Sequence, residues 1–207
     1  MEKHTEQKMN ETAKLVNLCS QYCKILDKHD TTELNDFLEI IALKMMEIYK
    51  QTFDIAKFQT RYESEPEKFL SEKQYNNIIK NLREYFGKKD IYNEIIDPVM
   101  PASNSIFQAS LAEDLTDIYQ DFYDFVEWYS LGTLESINDS VIECLNNFEK
   151  YWGIKLLSAL RAIHMTRYYF KDTTLIREIR IEDEVIDNTE NEIIDSEGLD
   201  DIITEEL

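Results

Sequence analysis

An all-α fold, an antiparallel bundle of five or six helices with an acidic C-terminal tail, is what this sequence predicts, and three observations carry the prediction. The 207 residues include only four Gly and three Pro, too few for serial hairpins or phosphate-cradling loops. Apolar residues recur at i, i+3, i+4 and i+7 from Leu15 to Phe170, the period of a helix with one buried face. Capping signatures precede these stripes, where a helix needs its first N–H groups satisfied. The length suffices for one domain with a real core.

Taken in order, the first helix covers about residues 10–29, with Leu15, Leu18, Cys19, Tyr22, Ile25 and Leu26 on one face. Asp30 and Glu33 read as a capping box for the second, whose stripe is Leu34, Phe37, Leu38, Ile41, Met45 and Ile48. Residues 54–70, with the run ESEPEKF, are the least regular part of this half. Ser71 and Gln74 open a third helix bearing Tyr75, Ile78, Leu82 and Phe86, and Gly87 stands where a left-handed C-cap residue belongs. The stretch DPVMPASNS, residues 97–105, breaks the chain, since two prolines three apart do not sit inside a helix. Ser110 and Glu113 cap the next helix, SLAEDLTDIYQDFYDFVEWY, which ends near Leu131 with Gly132 as its stop. A long helical pattern then runs over about 135–169, with Gly153 marking a bend or a close helix–helix approach.

After Phe170 the pattern changes. IREIRIEDEVI alternates enough for a short strand, but the rest is acidic and aperiodic and buries too little to offset its ordering entropy. The division expected is a helical domain, 1–171, and a mobile acidic tail, 172–207.

The formal charge of −20 is unevenly laid out: −1 over residues 1–90, −12 over 91–149, +5 over 150–171 and −12 over 172–207. Between Lys89 and Lys150 there is no Lys, Arg or His. Such a surface disfavours nucleic acid and anionic membranes and suits a basic protein partner. No apolar run approaches membrane-spanning length, and MEKHTEQKMNETAK lacks the apolar core of a signal peptide, so a cytoplasmic protein is expected. Three cysteines without CxxC spacing read as reduced, apolar core residues.

The acidic helix carries the chemistry that invites a site. Leu111, Leu115, Ile118, Phe122, Phe125 and Val126 form its apolar arc, while Glu113, Asp124 and Glu127 point away into solvent. Asp114, Asp117 and Asp121 lie at the boundary, where a neighbouring element meets them. The nearest basic helix, FEKYWGIKLLSALRAIHMTRYYF, sets Arg161, His164 and Tyr168 opposite its apolar face, and Ile154 and Leu157 point to burial on two sides. The reading preferred here pairs Asp117 or Asp121 with Arg161 or Arg167 across a helix interface.

The competing reading is a metal-dependent hydrolase or nucleotide-binding enzyme. In it, Asp114, Asp117 and Asp121 hold a divalent ion, Arg161 holds an anionic group, and His164 is acid or base. No P-loop, Rossmann glycine fingerprint, HExxH or GxSxG accompanies them. No cofactor is called for.

SLAEDLTDIYQDFYDF followed by FEKYWGIKLLSALRAIH resembles the two signature segments of a family of uncharacterised bacterial proteins, domain of unknown function 5063. The match is specific over 110–164 and loose before it. The matching positions are Glu113, Asp114, Leu115, Asp117, Ile118, Tyr119, Asp121, Trp152, Gly153, Leu160, Arg161 and His164. The resemblance implies an all-helical cytoplasmic domain and no activity. The function expected is a non-enzymatic interaction or regulatory module with a protein partner.

Overall fold

Residues 2–55, 68–94 and 106–169 are described by the computed structural model, with side chains from Met9 onward. The 97–105 break, most of ESEPEKF, and the 172–207 segment with its expected strand lie outside the described residues. The chain divides into a unit Met1–Arg167, which holds the bundle, and a unit Tyr168–Leu207, of which only Tyr168 and Tyr169 are described.

Six α-helices among the described residues bear out the all-α prediction. Helix α1, Glu2–Asp27, begins earlier than its apolar stripe because Glu, Lys and Gln extend a helix without needing burial. Helix α2, Leu34–Asp54, does not use the expected capping box: Asp30 lies in a 3-10 turn, His29–Thr31, and Glu33 caps without a side-chain bond. Helix α3, Glu72–Phe86, has the predicted box, with Gln74 N–H donating to Ser71 Oγ and Ser71 N–H to Gln74 Oε1. Gly87 follows at φ +54°, a backbone state glycine adopts without strain.

A small antiparallel sheet was not foreseen. Strands β1, Ile91–Glu94, and β2, Phe107–Ser110, pair with Ile91 opposite Ser110 and Glu94 opposite Phe107. Four residues are too few for a period-two signal to stand out. The pairing brings Asp90 to the start of helix α4, Leu111–Ser130, where its Oδ1 accepts from Ala112 N–H at 2.7 Å. Ser110 Oγ accepts from Glu113 N–H at 3.1 Å, so half of the expected Ser110–Glu113 box forms, and Asp90 adds a second cap by taking the Ala112 N–H.

Helix α5, Leu134–Asn147, is capped by Thr133 and leads through a π-helical turn, Phe148–Trp152, into helix α6, Gly153–His164, and a second π turn, Met165–Tyr169. The predicted long helix is therefore real but twice underwound. Eight residues separate Asn147 from Lys155, which on a plain α-helix sets them about 80° apart. A π turn absorbs about one residue and brings both onto nearly one face.

Helix α4 packs against α1, α3, α5 and α6, while α2 closes the bundle against α1 and α6. Tyr22, Phe122 and Trp152 meet edge-on through the centre at centroid distances of 5.1 and 5.0 Å, and Phe148 lies tilted against Trp152 at 4.7 Å. The buried polar ends are satisfied, Tyr22 OH by the Leu115 carbonyl and Trp152 Nε1–H by that of Cys144, both at 3.0 Å. Cys19, Cys23 and Cys144 are buried thiols. Ile154 and Leu157 are exposed, so α6 is buried on one face and not two.

Gly153 is where the π turn leaves its requirement. A Cβ there would stand 2.4 Å from the Phe148 carbonyl oxygen and 2.9 Å from its ring. At an ordinary helix position Gly→Ala stabilises by about 1 kcal/mol. Here Gly153→Ala is expected to destabilise by about 1–3 kcal/mol, lowering the Tm by about 2–4 °C per kcal/mol. A calorimetric Tm equal to or above the parent's would contradict the close approach.

Candidate functional site

Asp114, Asp117 and Asp121 project from α4 into contact with other elements, but not into one pocket. Helix α4 is flanked by the α5–α6 segment running the opposite way, and this register decides each partner. Lys155, early in α6, comes level with the start of α4 and bridges Asp114 Oδ1 at 3.1 Å and Asp117 Oδ2 at 2.7 Å. Asn147, one turn deeper, donates to Asp121 Oδ1 at 2.9 Å. Arg161 has already passed the α4 terminus. It donates instead to Glu94 Oε1 at 3.0 Å and to the Asn93 carbonyl at 2.8 Å, with its guanidinium over the Tyr92 ring.

The expected pairing of Asp117 or Asp121 with Arg161 or Arg167 is therefore not formed. Arg167 donates to Glu39 on α2 at 2.6 Å. His164 is exposed at the end of α6, about 13 Å along the axis from Lys155. Asp124, expected in solvent, is half-buried and accepts the backbone N–H groups of Phe69 and Leu70 at 2.8 and 2.9 Å, fixing the entry to α3. Glu113 is exposed as expected and meets Arg83 at 3.1 Å.

Three tyrosines complete the carboxylate network. Tyr92 from β1 donates to Asp114 Oδ2. Tyr75 from α3 donates to Asp117 Oδ1 at 2.6 Å, and Tyr151 from the π turn donates to Asp117 Oδ2 at 2.8 Å. Burial and the neighbouring carboxylates push all three phenols well above their ordinary range. Burial works against the charge on Lys155, but its bond to Asp117 and the charges of Asp114 and Asp117 outweigh that and raise its pKa. Asp114 is raised by burial, against the pull of Tyr92 and Lys155. The phenols thus stay neutral donors and the amine stays charged, which suits a fixed electrostatic clamp.

Two clefts flank this clamp. One, about 370 Å³, lies between the hairpin, α4 and α6 and is lined by Tyr92, Glu94, Asp114 and Lys155. The other, about 450 Å³, lies between α4 and α5 and is lined by Asp117, Asp121, Asp124, Trp128, Glu143 and Asn147. Among the described residues no three His, Cys, Asp or Glu side chains converge as metal ligands. Sequence reasoning passed over Lys155 and the tyrosines. Lys155 sits at i+3 from buried Trp152 and at i−4 from buried Ala159, a boundary position marked by helical spacing alone. The tyrosines come from three separate elements and carried no local signal.

Asp121 is the exception in the network. Its Oδ2 is shut off from solvent without a hydrogen-bond partner. Burial, helped by Asp124, Asp117 and Glu143 and opposed by Asn147, lifts its pKa to about 7.

Residues 6–169 match the model of a family described as a domain of unknown function, DUF5063. The crystal structure of protein BF1032 from Bacteroides fragilis aligns with a TM-score of 0.67 at 28% identity, over 77% of this chain and 92% of that one. A search of curated proteins finds no match.

Because the Asp121 carboxyl holds its proton more tightly folded than unfolded, the stability it contributes is complete below about pH 4. That contribution is lost as pH rises through about 7. Asp121→Asn keeps the acceptor for Asn147 and removes the titration. At pH 8 the variant is expected to be more stable than the parent by about 1–3 kcal/mol, with the difference vanishing toward pH 4. Urea unfolding across this range checks it, and a pH-independent difference would contradict the buried-carboxyl account.

Proposed function

The chain belongs to the family of domain of unknown function 5063, which brings a fold and no activity, and on that premise we propose that it is a non-enzymatic interaction or regulatory module with a protein partner. The observation that carries this reading is the closure of the carboxylate stripe. Asp114 and Asp117 are held by one charged lysine and three neutral phenols from the same chain. A cation already occupies the place that a divalent ion would take between them.

What remains for recognition is surface. Residues 91–149 carry −12 without a basic side chain, and such a field favours a basic protein segment and speeds its approach. Residues 172–207 add a further −12. A cytoplasmic setting belongs to the same proposal and fits the three buried thiols. No helix among the described residues is long and apolar enough to cross a membrane.

Affinity capture with the tagged full chain at low and high salt tests the reading. A basic partner held at low salt and released at high salt is expected. Recovery of only those proteins that bind an unrelated acidic control would overturn it. So would a Mg²⁺- or Mn²⁺-dependent rise in Tm that Asp117→Ala abolishes, which would restore the metal-dependent enzyme.

A further inference from the structure

Helix α2 buries one apolar face in the bundle and leaves a second, mixed apolar and charged face exposed. Phe37, Leu38, Ile41, Met45, Ile48 and Thr52 are buried against α1 and α6. On the opposite side, Asp36, Glu39, Leu43, Met46, Lys50 and Phe53 follow one another at spacings of three and four, the seam of a helix made to meet another helix. All six are exposed. Leu43, Met46 and Phe53 show 53%, 49% and 68% of their surface, and Ile40 beside them shows 45%. Isolated exposed apolar residues are ordinary, but a continuous stripe of them along one helix marks an interaction surface.

The order of charges along the seam specifies what fits it. Read backwards, the four central positions complement themselves about a point between Lys44 and Met45: Leu43 falls opposite Met46 and Glu39 opposite Lys50, while the outer positions set Asp36 against Phe53. A parallel copy would set Glu39 on Glu39 and Lys50 on Lys50. An antiparallel copy sets two Leu43–Met46 contacts at the centre and a Glu39–Lys50 ion pair on each side. Glu39 is already oriented by Arg167 at 2.6 Å and stays 55% exposed, with acceptor capacity for a second cation. Phe53 is steadied by the rings of Tyr49 and Phe148, at 5.4 and 5.8 Å.

We propose that two copies of this chain associate through the exposed face of α2, antiparallel about a two-fold axis, with Leu43 and Met46 as the apolar centre and Glu39–Lys50 pairs as the register. The contact is isologous and therefore closes on itself as a dimer. One helix pair about 30 Å long makes a small interface, so association is concentration-dependent. This surface lies apart from the α4–α5 groove and stands whether or not a basic partner binds there.

Sedimentation velocity on the full chain, from low micromolar to millimolar concentration, tests the proposal. The parent is expected to pass from monomer to dimer. Leu43→Asp with Met46→Asp is expected to weaken the dimer at least tenfold with the circular dichroism spectrum and Tm kept, since neither side chain supports the core. Glu39→Lys alone and Lys50→Glu alone each weaken it, and the two together restore it, because each pair is made between copies. A parent that stays monomeric throughout would overturn the proposal and leave the face to a different protein. A dimer indifferent to Leu43→Asp and Met46→Asp, or a double charge swap no better than the singles, would overturn it as well.

Discussion

Helix α4 is surrounded by α1, α3, α5 and α6, and ten of its 20 residues are buried. A helix enclosed in this way has little outer face, and of its acids only Glu113 is exposed. Asp114 and Asp117 are drawn into the interior by the burial of Leu111, Leu115, Ile118 and Phe122 beside them, each worth about 1.5–3 kcal/mol. Carboxylates so placed need donors, and the element nearest them supplies Lys155. The cation is held between two acids and the acids between the cation and three phenols, so every partner is charge-assisted. Two further features of the fold arrange themselves around this clamp.

The hairpin is one such consequence. Asp90 joins the start of α4 through Ala112 and Ser110, which anchors the first strand. The strand then delivers Tyr92 to Asp114, and Glu94 receives Arg161 from the far end of α6. The π turn between α5 and α6 is another. It turns Asn147 and Lys155 toward the same neighbour, seats Tyr151 against Asp117, and requires Gly153 where the Phe148 carbonyl crowds in. Asp121 falls short of donors, with Asn147 answering one oxygen. That is why its proton is the one most sensitive to pH.

The helices were legible in the sequence because burial writes a period into it. Tyr22, Phe37, Ile41, Phe122 and Trp152 stand where i, i+3, i+4 spacing puts them, and Ser71, Gly87 and Gly132 punctuate as their local chemistry demands. The boundary position of Asp114 and Asp117 was legible for the same reason. Their partner was not. Periodicity gives the angle of a side chain around its own helix, while the choice of Lys155 over Arg161 depends on how far two helices slide along each other. That offset is set by the hairpin and the π turn, one too short to show a pattern and the other invisible to a fixed 3.6-residue period. Asp124 was misplaced in solvent because its partners are backbone N–H groups of Phe69 and Leu70, which no side-chain pattern reveals.

The claim on which the account rests is that Lys155 neutralises buried Asp114 and part-buried Asp117. The free energy of urea unfolding at neutral pH, measured for Lys155→Met and for the triple variant that adds Asp114→Asn and Asp117→Asn, addresses it directly. Removing the cation alone leaves uncompensated buried charge and is predicted to cost about 3–5 kcal/mol, most of which the triple variant recovers. A single change that costs no more than a surface ion pair, about 0–1 kcal/mol, or a triple variant as unstable as the single, would contradict it.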